Sequence, residues 1–265
     1  MIPKIIYKTG PFKEENIPES IKKIFNNTLQ NQPEYKIEYY DDDRCREFLN
    51  ENFPPEILES YDNIIPGAYK ADLFRYCLLY KKGGIYTDLP LNFGVPISSL
   101  IDHEKNDLVL VNDMAHPTIP DPGIQISFMA AIPNHPVYKK AIEMAVETIK
   151  NKEYGIDELD VMGPKFFKRV VDITNTKYRV DLIQHNNFFL KSIKNNKLSV
   201  QTRISPLSED IHIVYKHKAE EHNIKLPKYF AYNSIPNPIP STLEELEHYH
   251  YSTLWKIKKI YKTEL

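Results

Sequence analysis

Glycine is scarce in this sequence. Among 265 residues there are 8 glycines and 20 prolines, so glycine stands at about 3% against a typical ~7%. A chain this poor in glycine places each one where backbone geometry demands it. Two of the eight, Gly83 and Gly84, are adjacent. Cysteine is scarcer still. Cys45 and Cys77 are too few for a disulfide framework or a zinc cluster, and they are compatible with a reducing compartment. No apolar run approaches the ~20 residues of a membrane span. Met1–Tyr7 is too short, and too polar at its end, for a signal peptide. The expectation is a soluble, cytoplasmic chain. No charge of either sign dominates: 34 Lys and Arg face 36 Asp and Glu, a net −2. That balance gives no general electrostatic reason to bind nucleic acid. Also missing are the Gly-x-Gly-x-x-Gly and Gly-x-x-x-x-Gly-Lys phosphate loops, the Gly-x-Ser-x-Gly elbow and the His-Glu-x-x-His zinc motif.

What is present is a globular composition with 42% apolar residues, enough chain for one large domain or two small ones. Ile2–Tyr7 reads as a buried strand ended by Thr9-Gly10-Pro11. Ile21, Ile24, Phe25 and Leu29 give Pro18–Leu29 the spacing of an amphipathic helix. Tyr35–Tyr40 is aromatic and β-branched, hence a strand. It runs into Asp41-Asp42-Asp43, able to cap a helix over Arg44–Asn50. Pro66 opens a helix that stops at Gly83, and Ile85–Leu89 follows as a strand. Leu108–Val111, Gln125–Ile132 and Ile211–Val214 read as strands; Val137–Lys150 and Lys165–Val171 read as helices. Ser241 with Glu244, and Thr242 with Glu245, each fit a capping box. Strands and helices alternate through the first ~150 residues, an α/β sheet pattern.

The stretch richest in chemistry runs from Asp72 to Asp88. Asp72 and Arg75 are three apart on one helix and share a face. A carboxylate and a guanidinium so placed pair with each other or grip hydroxyls and phosphate together. Gly83-Gly84 ends the helix and lets the chain reverse into a strand. That strand delivers Asp88 at its carboxyl end, where ligands of open α/β sheets bind. His248 and His250, even taken with His217 and His222, match no zinc spacing. The basic segment Lys256–Lys262 reads as a solvated helix face, with contact to an anionic membrane surface as the alternative.

The ordered set Asp72-x-x-Arg75-Tyr76, Leu79-Tyr80, Gly83-Gly84, Tyr86 and Asp88 resembles the core of the DXD-type glycosyltransferases, in particular glycosyltransferase family thirty-two. Pro3-Lys4-Ile5-Ile6, Pro133-Asn134-His135-Pro136, Met162-Gly163-Pro164 and His250–Trp255 resemble further family landmarks more loosely. The resemblance implies a GT-A type, Rossmann-like nucleotide-sugar binding fold of the α/β class with a mixed central sheet. Residues 1–265 would form a single domain, its nucleotide-binding part at about 1–130 and its acceptor-side and closing part at about 131–265. The implied activity is a retaining sugar transfer from a nucleotide-diphosphate sugar to a saccharide or glycoconjugate, with a UDP-sugar favoured over GDP-mannose. Asp72 and Arg75 would contact the donor sugar. Asp88 would touch ribose, sugar or metal. Tyr7 and Lys8 would lie under the base, beside Gly84 and Tyr86, and His250, Ser252 and Trp255 would close over the diphosphate. The loop with Asp113, His116 and Asp121–Gln125 would face the acceptor. No catalytic base is assigned.

One position departs from the family pattern. Asp88-Leu89-Pro90 stands where Asp-x-Asp is expected, and proline offers no oxygen to the manganese or magnesium ion that the second Asp normally holds. Four readings follow. Asp88 holds the ion with His250 and the diphosphate. Asn92, two residues beyond Pro90, supplies an amide oxygen. Cationic groups such as Arg75 stand in for the ion. Or the chain is a silent relative that binds the sugar nucleotide without transferring from it. Weak or absent metal use is the expectation. A glycoside hydrolase is a further alternative, needing two carboxylates that flank one bond.

Overall fold

A computed structural model describes residues 1–89, 91, 93, 96–112, 123–174, 180–183, 239, 242–247 and 249–262. The chain opens on β1 (Ile5–Thr9), three residues later in the sequence than its apolar run suggests, because Ile2 is taken by His103: its N–H donates to the His103 carbonyl and its own carbonyl meets His103 Nδ1. Helix α1 (Glu19–Asn31) leads to β2 (Lys36–Tyr40), which pairs parallel with β1 from Ile5↔Lys36 to Thr9↔Tyr40. Asp41 caps α2 (Asp42–Asn52) by accepting from the Arg44 N–H.

Helix α3 (Pro55–Asn63) is absent from the sequence reading. Its Pro54-Pro55 start looks like a loop, yet a proline at the first helical position loses no helical hydrogen bond. Its apolar stripe is short, with Ile57 and Tyr61 buried. Helix α4 (Gly67–Lys82) buries Tyr69 and every residue from Asp72 to Leu79. A helix apolar around most of its circumference lies inside the core. It ends at Gly83, whose N–H donates to the Leu79 carbonyl.

Strand β3 (Gly84–Thr87) pairs parallel with β1. Antiparallel to β3 runs β5 (Ile124–Ala131), reached after β4 (Leu108–Asn112), and β4 lies antiparallel on the far side of β5. Helices α5 (Pro136–Lys150) and α6 (Pro164–Thr174) follow. The short β6 (Val180–Ile183), also unread from sequence, pairs parallel with β4. Among the described residues the sheet is mixed and six-stranded, in the order β2-β1-β3-β5-β4-β6. It is α/β, as expected.

Each face of the sheet carries its own core. Tyr7, Tyr86 and Met129 face the helical layer of α4, α5 and α6, with Phe74, Tyr138 and Phe167. Ile6, Ile85 and Phe128 face the other side, with Phe93 and Ile97. Near the end, Thr242 and Glu245 form the expected capping box on α7 (Leu243–Leu246), and α8 (Tyr251–Lys256) follows. The Ile211–Val214 strand, the Ser241 cap and the His217, His222 and His248 positions lie outside the described residues.

Candidate functional site

The site begins with the helix–glycine–strand reversal. Gly83 has φ +62° and Gly84 φ +92°, conformations that an L side chain rarely adopts. Space forbids a side chain as well. A Cβ on Gly83 would lie 2.6 Å from the Pro133 nitrogen, and one on Gly84 would lie 2.7 Å from the Tyr7 ring. The chain therefore turns back tightly, and β3 starts directly against β1 and β5.

Arg75 is the hub that this reversal creates. Its guanidinium lies 4.4 Å above the Tyr86 ring. Nη2 lies 3.1 Å from Asp72 Oδ1, and Nη1 lies 3.2 Å from Asp88 Oδ1. Nη1 also donates to the Ile126 carbonyl at 2.6 Å, and Nε donates to the Ala71 carbonyl at 3.1 Å. Burial works against the charge, but Tyr86, Asp72 and Asp88 outweigh it and raise the Arg75 pKa further. The guanidinium stays charged at any pH the protein meets. Its side chain is only 6% exposed. Asp72 is buried beside it, whereas the Asp88 side chain is 31% exposed. A ligand arriving from solvent thus meets Asp88 first, as a carboxylate held on one side by a buried cation and open on the other. Such a group accepts hydrogen bonds from hydroxyls.

The backbone of Asp88 is tied down too. Its N–H donates to the Ser127 carbonyl at 2.9 Å, and its carbonyl accepts from the Leu91 N–H at 3.0 Å. Lys8 completes the arrangement. It is fully buried, and its ammonium donates to Thr87 Oγ1 at 2.8 Å, to the Leu91 carbonyl at 2.9 Å and to the Asp88 carbonyl at 3.0 Å, with the Leu89 carbonyl at 3.5 Å. Burial pushes its pKa down to about 7, with the nearby Asp88 charge opposing that fall. These bonds explain why β3 stops at Thr87 although the sequence suggests a strand to Leu89: the next carbonyls turn toward Lys8.

Other expected site residues fall as follows. Tyr7 is fully buried, and Gly84 packs against its ring. Tyr86 shares its hydroxyl with Thr9 Oγ1 at 2.8 Å. At the start of α8, His250 Nδ1 and Ser252 Oγ are 2.8 Å apart. The Tyr251 ring lies 5.5 Å from that of Tyr69, one turn before Asp72 on α4. The Trp255 indole N–H donates to the Tyr154 carbonyl at 2.6 Å, and Lys258 lies 4.4 Å above the Trp255 ring. Asn92 and Pro90 lie outside the described residues, as do Asp113, His116 and Asp121.

Two groups on β5 add to the site. Gln125 Oε1 and Ser127 Oγ are buried and find no hydrogen-bond partner among the described residues. They flank Ile126, whose carbonyl holds Arg75. A buried polar atom without a partner costs free energy unless a ligand or water satisfies it. The sequence places Gln125 at the end of an acceptor-facing loop, where a strand begins; it is a buried residue of β5, and Ser127 carried no signal at all. Among the described residues no group of three His, Cys, Asp or Glu side chains suits a metal ion. One Asp88 oxygen already faces a guanidinium. The described donors therefore do not fit a manganese or magnesium cage, which wants several oxygen ligands. No helix of the described residues is long and apolar enough to cross a membrane.

Comparison with known proteins bears out the resemblance seen in the sequence. Residues 18–107, which contain Asp72, Arg75 and Asp88, match the family described as "Glycosyltransferase sugar-binding region containing DXD motif". An uncharacterized glycosyltransferase, L373, of Acanthamoeba polyphaga mimivirus is 43% identical over 91 residues, 34% of this chain and 36% of that protein. The mannosyl phosphorylinositol ceramide synthase SUR1 of Saccharomyces cerevisiae is 30% identical over 163 residues, 62% of this chain and 39% of that protein. An initiation-specific alpha-1,6-mannosyltransferase of Schizosaccharomyces pombe is 29% identical over 202 residues, 67% of this chain and 50% of that protein. The chain thus spans half or less of the length of these relatives. The solved structure of the PaToxG glycosyltransferase shares the fold, with a TM-score of 0.50 and 15% identity over 98% of this chain and 88% of that one.

Proposed function

We propose that this chain transfers a sugar from a nucleotide-diphosphate sugar to a hydroxyl of a saccharide or glycoconjugate, with retention at the anomeric carbon. One observation carries the reading. Inside the stretch that matches a sugar-binding family, a buried guanidinium holds one oxygen of a solvent-reaching carboxylate, Arg75 on Asp88. Asp88 then accepts from donor hydroxyls, while Asp72 and Arg75 set the charge behind it. Tyr7, Lys8, Gly84 and Tyr86, all buried, support the nucleotide part from beneath rather than touching the ligand, within about 1–130 of a single domain. His250, Ser252 and Trp255 close over the diphosphate from the part at about 131–265. Lys256–Lys262 provides at most a weak contact with an anionic membrane surface.

A UDP-sugar and GDP-mannose are the two donors to test, and the mannosyl names of the yeast relatives weigh toward mannose. Those names also weigh toward a glycolipid or glycan acceptor. Dependence on manganese or magnesium is weak in this reading, because the described donors do not form a cage. The test is thermal melting with UDP, GDP and their sugars, followed by donor turnover against a glycan and glycolipid panel. Binding to the folded state alone raises the melting temperature. A chain that no nucleotide stabilises, at concentrations far above plausible affinities, would sink the reading. Pro90, in place of an acidic residue, favours a second reading: a sugar-nucleotide binder without transfer, stabilised by nucleotide yet silent with every acceptor.

A further inference from the structure

We propose that Lys8 is the positioning residue of Asp88: from β1, its buried ammonium holds the segment that follows β3 and so fixes where the Asp88 carboxylate stands. The proposal deepens the sugar-transfer reading and rests on it for its functional readout; its structural readout is independent.

After Thr87 the chain leaves the sheet, so the carbonyls of Asp88, Leu89 and Leu91 lose their ladder partners. Buried carbonyls need replacements. An ammonium has three N–H donors, and Lys8 has three close oxygens, on Thr87, Asp88 and Leu91, within 2.8–3.0 Å. All four of its oxygens, including Leu89 at 3.5 Å, are neutral. The lysine therefore does not serve as one half of a salt bridge in the core. It organises a loop.

Its effect converges on one residue. Asp88 has its N–H on the Ser127 carbonyl, its C=O on both Lys8 and the Leu91 N–H, and its Oδ1 on Arg75. Removing the ammonium withdraws one of the two bonds to the Asp88 carbonyl, leaves the Leu91 N–H as its sole remaining hold, and strips the Leu91 carbonyl of its lysine partner. The carboxylate then swings about the remaining bonds. The bond spans 80 positions from Lys8 to Asp88 and adds a tie to β1 that the local Leu91 N–H does not supply.

The experiment compares Lys8→Gln, Asp88→Asn and the double variant, with Thr87→Val as a milder variant that withdraws one partner of the ammonium and keeps the lysine. Hydrogen exchange is followed by mass spectrometry in peptides covering 84–93 and, as a reference, 136–150. The probes for binding and turnover are UDP-glucose and GDP-mannose. Exchange over 84–93 is expected to quicken about tenfold in Lys8→Gln, and less in Thr87→Val, with the reference peptide unchanged. Donor binding or turnover is expected to fall about tenfold in Lys8→Gln but to change little further when Asp88 is already Asn, because residues acting through one another are not additive. Equal quickening in both peptides, or an undiminished loss in the Asp88→Asn background, overturns the proposal and makes Lys8 a general core residue. If Lys8→Gln does not fold, Thr87→Val decides by the same two readouts. If neither sugar nucleotide binds the wild-type chain, the sugar-transfer reading fails, and exchange over 84–93 still judges the role of Lys8.

Discussion

Arg75 and Asp88, thirteen positions apart, meet at 3.2 Å across a helix, two glycines and a strand. The pair is asymmetric. The guanidinium is buried and the carboxylate reaches solvent. The two partners therefore respond differently to substitution.

Asp88→Asn keeps the size of the side chain and leaves a partly exposed neutral group. Stability should fall by only about 1 kcal/mol, while donor binding or turnover drops at least about tenfold. Urea unfolding and isothermal calorimetry with a sugar nucleotide measure the two effects. A variant that binds and turns over as the wild type does removes Asp88 from the site.

Arg75→Met withdraws the cation and leaves Asp72 buried beside an uncharged neighbour. Breaking a buried pair by removing one partner costs about 3–5 kcal/mol. The urea midpoint should drop accordingly, with binding lost in parallel. A midpoint within error of wild type would show that Asp72 and Asp88 do not depend on the guanidinium.

Gly83→Ala places a Cβ at φ +62°, 2.6 Å from the Pro133 nitrogen. Backbone strain of this kind costs about 1–3 kcal/mol before the clash is counted. Denaturant unfolding should show at least that loss. A neutral substitution would mean that the reversal tolerates another backbone path.

His135 caps α5, its Nδ1 accepting from the Val137 N–H. Burial pushes its pKa down to about 4 from an ordinary 6.5, with Asp107 opposing. Between those values the unfolded chain binds the proton and the folded chain does not, so stability falls as pH drops from 6.5 toward 4. Denaturant midpoints against pH should show wild type losing stability in that window relative to His135→Gln. Parallel curves would refute the assignment.

Manganese titrated into the protein alone should give no tight binding, and a chelator should leave nucleotide-induced stabilisation largely intact. Calorimetry and thermal melting test this. Tight uptake by the free protein would show that residues beyond the described donors complete a cage.

The parts of the site legible in sequence were those set by local rules. Helical spacing put Asp72 and Arg75 on one face, and the glycine pair announced the end of α4 and the start of β3. The α/β class followed from alternation. Non-local placements were not legible in the residues themselves. Lys8 reads as one more residue of a first strand; its burial under a segment 80 positions away appears only when β1 lies beside β3. The insertion of β5 between β3 and β4 leaves no trace in periodicity, because long-range order is not a local property. Helix α3 was hidden by its proline pair, and β6 by its four-residue length. Asp88 was legible at the carboxyl end of a strand, and the family resemblance made it an expected donor contact; its bond to Arg75 was not legible.

The two halves of the Arg75–Asp88 pair carry different historical information. Arg75 is packed on Tyr86 and bonded to Ala71 and Ile126, so a descendant that had abandoned its chemistry would still need it to fold. Asp88 is under no such constraint. In any lineage where the activity has lapsed, decay should show first at Asp88, and an aspartate kept there would mark a site still under selection for what it binds.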